Sequence, residues 1–148
     1  MMNYPQYKED LKKSKHIPIF LFGTFKEGVW GSNLYNITGH KKAYIYGFGL
    51  FTMGAIIGKG YEFPHMVKSK KADSIVYGEI AVVKKRIARY IKIAKGNNYK
   101  FNTIKAYFDD KNYTWCIALA MDRMIFNQYK FQDRFFKITE WKPYEVSQ

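Results

Sequence analysis

The chain is poor in the residues that metal and nucleophile chemistry most often use. Among its 148 residues there is one cysteine, Cys116, and there are three histidines, His16, His40 and His65. A lone cysteine excludes an internal disulfide and points to a reducing compartment, so a cytoplasmic location is expected. Cys116 lies in the apolar run 115–121, where a thiol reads as a small buried hydrophobe rather than a nucleophile. The histidines have no companions at ligand spacing, so no metal site is expected, and no cofactor is implied. No run of about 18 apolar residues occurs, so no membrane span is expected. Residues 1–15 are polar and charged, without the apolar centre of a signal peptide. No Ser–His–Asp or paired-carboxylate arrangement is evident in the sequence. Acid is also scarce: 12 Asp and Glu stand against 25 Lys and Arg, for a net charge of +13.

What is present is apolar and aromatic. Hydrophobic residues make up 47% and aromatic residues 19%, enough to exclude disorder for most of the chain and to build the core of one domain. The basic residues cluster at Lys12, Lys13 and Lys15, at Lys41 and Lys42, at Lys68, Lys70 and Lys71, and at Lys84 to Arg86 with Arg89. Two readings stand side by side. The clusters either recognise an acidic partner, such as nucleic acid, an acidic protein or an anionic metabolite, or form a soluble lysine-rich surface.

Taken in order, residues 1–15 read as a basic arm and 16–148 as a single domain. Residues 17–22 form an apolar first strand. Residues 23–40 read as a long loop of the kind that often carries function. Residues 43–51 alternate loosely around Gly47 and Gly49, which suggests a bulged or bent strand. Residues 74–83 are the clearest strand, with Ile75, Tyr77, Glu79, Ala81 and Val83 on one face. The period then switches to helical over 84–95, with Ile87, Tyr90, Ile91 and Ala94 facing inward and Gly96 as the stop. Residues 99–108 and 113–121 read as a hairpin around a turn at 109–112. A short helix is favoured in 122–131, and a last extended segment follows. The fold class is α+β, a closed or nearly closed mixed β-barrel with one main helix.

The first strand ends in Phe22-Gly23-Thr24-Phe25-Lys26-Glu27-Gly28, followed by Asn33-Leu34. This resembles the opening signature of the gamma-glutamylcyclotransferase-like family, in which an apolar strand leads to Tyr-Gly-Ser/Thr-Leu, a basic residue and a Gly. Phe22 stands for the Tyr and Phe25 for the Leu. The segments 44–51, 63–67, 76–83 and 138–144 are similar to later family segments in the same order, so the resemblance spans about residues 17–144. It implies the family's barrel and a ligand-binding loop at Phe22, Gly23, Thr24, Phe25 and Lys26, whose N–H groups receive an anion.

Family members of known activity cyclise a γ-glutamyl group, releasing 5-oxoproline and an amine, with a glutamate just after the helix as general base and acid. Its context aligns with Ile91-Lys92-Ile93-Ala94-Lys95-Gly96, so the glutamate position carries Lys95. A base that takes a proton from an ammonium should be an anion, and an ordinary lysine is a cation. Deep burial would make the lysine a neutral base, yet the polar Gly96-Asn97-Asn98 beside it argues for solvent. The expectation is a catalytically altered member that binds an anionic small molecule in its loop pocket. The alternatives are an active cyclotransferase with a displaced catalytic acid and a basic adaptor for nucleic acid or an acidic protein.

Overall fold

Alternating apolar residues on either side of a short basic helix build a barrel closed by a single parallel seam. The structure, a computed structural model, describes residues 9, 12–23, 25, 26, 29–52, 55, 56, 60, 61, 64–109, 111–128 and 136–141. Most of the arm at 1–15 therefore lies outside the described residues. The strands are β1 (His16–Leu21), β2 (Lys41–Tyr46), β3 (Phe48–Thr52), β4 (Ala55–Ile56), β5 (Gly60–Tyr61), β6 (His65–Lys68), β7 (Ile75–Lys84), β8 (Lys100–Tyr107), β9 (Tyr113–Ala120) and β10 (Phe136–Ile138). The helices are α1 (Trp30–Leu34), α2 (Lys85–Lys95) and α3 (Arg123–Asn127).

The barrel order is β1-β7-β2-β8-β9, with β9 returning to β1. The β1–β9 contact is parallel, Ile19 opposite Ile117, and the other barrel pairs are antiparallel. Pro18 precedes this contact, so its missing N–H falls before the β9 pairing begins. A smaller sheet, β10-β3-β6, packs beside the barrel, and Met121 ties the two by hydrogen bonds to Met66 and Lys68. Phe20, Ile45, Leu50, Met66, Met121 and Phe126 are fully buried in a core that runs through both sheets.

The segment expected as one bent strand is two strands in two sheets. Gly47 has φ of 86°, a left-handed conformation that turns the chain out of the barrel between Tyr46 and Phe48. The loop expected over 23–40 contains the five-residue α1, too short for a periodic signature. Strand β7 buries Val76, Gly78 and Ile80 on its inner face and then Ala81 and Val83 on its outer face, where α2 packs. The change lies where β2 ends its pairing with β7 at Lys41, beyond which only β1 continues. Helix α2 packs through Ala88 and Ile91, whereas Tyr90 and Ala94 turn outward. Tyr90 instead stacks on Tyr35, ring centroids 6.0 Å apart.

Gly78 fixes how closely β1 approaches β7. A Cβ there would lie 2.5 Å from the Leu21 carbonyl oxygen and 2.6 Å from Phe20 Cζ. Backbone and a fully buried ring cannot both yield, so Gly78→Ala is expected to destabilise the fold by about 1–3 kcal/mol. Urea denaturation checks this; an unchanged midpoint would show that β1 is free to shift.

Candidate functional site

Strand β1 delivers Phe22 and Gly23 to the mouth of the barrel, and α2 returns to the same level at Lys95. Lys95 Nζ lies 4.5 Å from the Phe22 ring centroid and 5.9 Å from that of Tyr99. A Cβ on Gly23 would press on Pro64 at 3.2 Å, whereas its 3.7 Å distance from the Lys95 amine would be an ordinary contact. Phe25 closes the recess from the loop side, and Ile19, Ile91 and Leu119 form its floor. The recess holds about 10 Å³, the room of one water.

Lys95 is therefore less solvated than the polar residues after it suggested. The residue is intermediate in exposure, and its amine is packed among the protein atoms of the recess without being sealed from solvent. Burial lowers its pKa from 10.5 to about 8. Among the described residues no carboxylate lies within ion-pair distance of it. Beside it, His65 Nδ1 and the Tyr99 hydroxyl are joined by a 2.7 Å hydrogen bond. Burial, and then the Lys95 charge, lower the His65 pKa to about 4, so this imidazole is neutral at pH 7.

The five loop residues of the sequence reading do not all face this recess. Phe22, Gly23 and Phe25 do, and Thr24 lies outside the described residues. Lys26 is buried with its amine turned to the C-terminal segment, donating to the Trp141 carbonyl at 2.9 Å and lying 3.7 Å from Glu140. Cys116 is buried in the barrel wall, which pushes its thiol pKa up.

A further grouping escaped the sequence, because its members lie on three separated segments. His40 Nδ1 is 3.0 Å from Glu79 Oε1, and His40 Nε2 is 2.9 Å from Ser32 Oγ. This is the residue order of a hydrolytic triad. Its chemistry is that of a clamp. The Ser32 hydroxyl donates to the Ile37 carbonyl at 3.0 Å, Nε2 lies 3.0 Å from the same oxygen, and Ser32 is 2% exposed. The Nδ1–Glu79 contact has ion-pair distance without hydrogen-bond alignment. The hydroxyl is committed and covered, and the three residues pin the turn after α1 to β7.

No family model and no curated protein matches the chain. Solved structures do. An AIG2-like protein (GGACT) from Mus musculus superposes with a TM-score of 0.56 at 13% identity, covering 87% of this chain and 90% of that one. The fold is gamma-glutamylcyclotransferase-like. At5g39720.1 from Arabidopsis thaliana gives a TM-score of 0.57 at 18% identity, over 81% of this chain and 80% of that one. YkqA from Bacillus subtilis gives 0.54 at 16% identity; the match covers 72% of this chain and 36% of the length of YkqA. These likenesses establish the α+β barrel fold and leave the chemistry to the residues in it.

Lys95 and His65 both resist protonation in the fold, and so the unfolded chain binds more protons than the folded one between their shifted and ordinary pKa values. Stability is therefore expected to rise with pH in two windows, about 4 to 6.5 for His65 and upward from about 8 for Lys95, the latter opposed above about 9 by the Cys116 thiol, which burial keeps protonated in the fold. Lys95→Met should add on the order of 2–3 kcal/mol near pH 7 and erase the upper window. Urea midpoints across pH 4–11 check both, and an upper window that persists in Lys95→Met would place the buried charge elsewhere.

Proposed function

We propose that this chain is a gamma-glutamylcyclotransferase-fold protein that binds a carboxylate-bearing small molecule on Lys95 and does not cyclise it. One observation carries the reading. A partly desolvated ammonium lines the loop recess, beside the rings of Phe22 and Tyr99, with no carboxylate at ion-pair distance among the described residues. A buried cation without a counter-ion is costly, and an incoming carboxylate removes most of that cost. The recess takes one water as it stands, so binding requires Phe25 and its loop to move outward. Lysine in place of a carboxylate disfavours an ammonium-bearing substrate, because two cations would meet at short range.

The lowered Lys95 pKa supports a second reading, an active cyclotransferase in which a neutral amine serves as base. Glu79, a carboxylate on the strand that leads into α2, lies 3.0 Å from His40 Nδ1 and away from the recess lining.

The deciding experiment gives the protein glutamate, 5-oxoproline and a panel of γ-glutamyl amines, follows melting temperature, and measures 5-oxoproline by mass spectrometry. At least one carboxylate is expected to raise the melting temperature of the wild type but not of Lys95→Met, with no 5-oxoproline formed. Affinity for it should be about tenfold lower at pH 9 than at pH 7, as the amine loses its proton. Release of 5-oxoproline by the wild type would establish the second reading instead.

A further inference from the structure

The outer wall of the barrel carries a set of aromatic rings that the recess does not use. Strand alternation turns Tyr44 and Tyr46 of β2, Tyr77 of β7, Tyr107 of β8, and Tyr113 and Trp115 of β9 to the outside. The register then aligns them. Tyr44 is directly opposite Tyr77 on one side and Tyr107 on the other, and Tyr107 is opposite Tyr113. Four tyrosines thus form one row across four neighbouring strands, with centroid spacings of 5.8, 5.7 and 5.9 Å. Tyr46 meets both Tyr44 and Tyr107 edge-on at 5.6 Å, and Trp115 meets Tyr113 edge-on at 6.5 Å. Tyr77 is 42% exposed and Tyr46 47%, and the other four are half-buried.

Cations are interleaved with this row. Lys105 Nζ lies 4.7 Å from the Tyr113 centroid and 5.3 Å from that of Trp115. Lys42 is exposed on the same face of β2 as Tyr44, two residues before it. Asp109 lies within electrostatic reach of Tyr44, and the net charge of +13 outweighs it over the molecule. Aromatic rings on the outer wall of the barrel suit unpaired bases, whose π-faces are free, and flanking lysines suit the phosphates between them. A duplex offers no free base faces to such a surface.

We propose that the Tyr77–Tyr44–Tyr107–Tyr113 row is a platform for single-stranded nucleic acid, on which bases stack while Lys42 and Lys105 meet the phosphates. The platform lies on the barrel wall and is independent of the reading of the Lys95 recess.

Fluorescence anisotropy with labelled 12-nucleotide oligo-U and oligo-dT, at two salt concentrations, tests this on the full chain. Binding is expected for at least one of the two strands, with the matching duplex at least about tenfold weaker. Tyr107→Leu should weaken binding about 5- to 100-fold, whereas Tyr107→Phe, which keeps the ring, should not. Lys105→Gln should flatten the salt slope by about 0.7. If Tyr107→Leu fails to fold, Tyr46→Ser at the exposed edge of the row takes its place, with a smaller loss expected. Binding that ignores the ring substitutions, or that is equal for duplex, would assign the affinity to net charge alone and overturn the proposal. So would a dimer in sedimentation velocity that Tyr107→Leu dissociates, because the row would then be a contact between copies of this chain.

Discussion

The pairing of β1 with β7 decides where everything at the recess stands. β1 ends at Leu21, opposite Glu79, and hands Phe22 and Gly23 to the barrel mouth. β7 runs without a linker into α2, whose eleven residues carry the chain about 16 Å before it stops at Gly96. The register of one strand pair therefore sets the distance between the Phe22 ring and the Lys95 amine. The close contact at Gly78 fixes how near the two strands lie, since a side chain there would push β1 away. Leu21, Glu79 and Gly78 are in this sense parts of the recess, although of the three only Leu21 lines it.

The end of α2 gives a charge at position 95 a particular environment. The last carbonyls of a helix carry partial negative charge, which favours a cation, and burial disfavours any charge. For a lysine the two effects oppose each other, and burial prevails, as the lowered pKa shows. For a carboxylate at the same place both would act together and raise its pKa toward neutrality, which is what a proton-shuttling acid needs. The same position thus would raise the pKa of a glutamate and lowers that of the lysine that stands there.

Much of the barrel was legible because its signals are local. The switch from alternation to helical spacing at Lys84–Lys85, the glycine after Lys95, and the turn between β8 and β9 each lie within a few residues of what they announce. What could not be read depends on residues far apart in the chain. Lys95 looked solvated because Gly96, Asn97 and Asn98 follow it, while the ring that covers it, Phe22, arrives from over seventy positions earlier. Ser32, His40 and Glu79 are unremarkable singly and meet only because β2 and β7 are neighbours. The break at Gly47 was visible as a glycine, but a bulge and a change of sheet look the same in sequence. Tyrosines stand in four of the barrel strands, and only the register shows that four of them fall into one row.

The Lys26 contact with Trp141 and Glu140 fastens the recess loop to the last described stretch of the chain, more than a hundred residues away. Trp141 is itself buried, so the fastening is anchored at both ends. Under the proposed reading, moving the loop outward for a ligand would break these contacts and keep them broken while the ligand stays. The clasp would then weaken affinity as well as slow entry, a threshold that only a ligand with enough gain at Lys95 would cross.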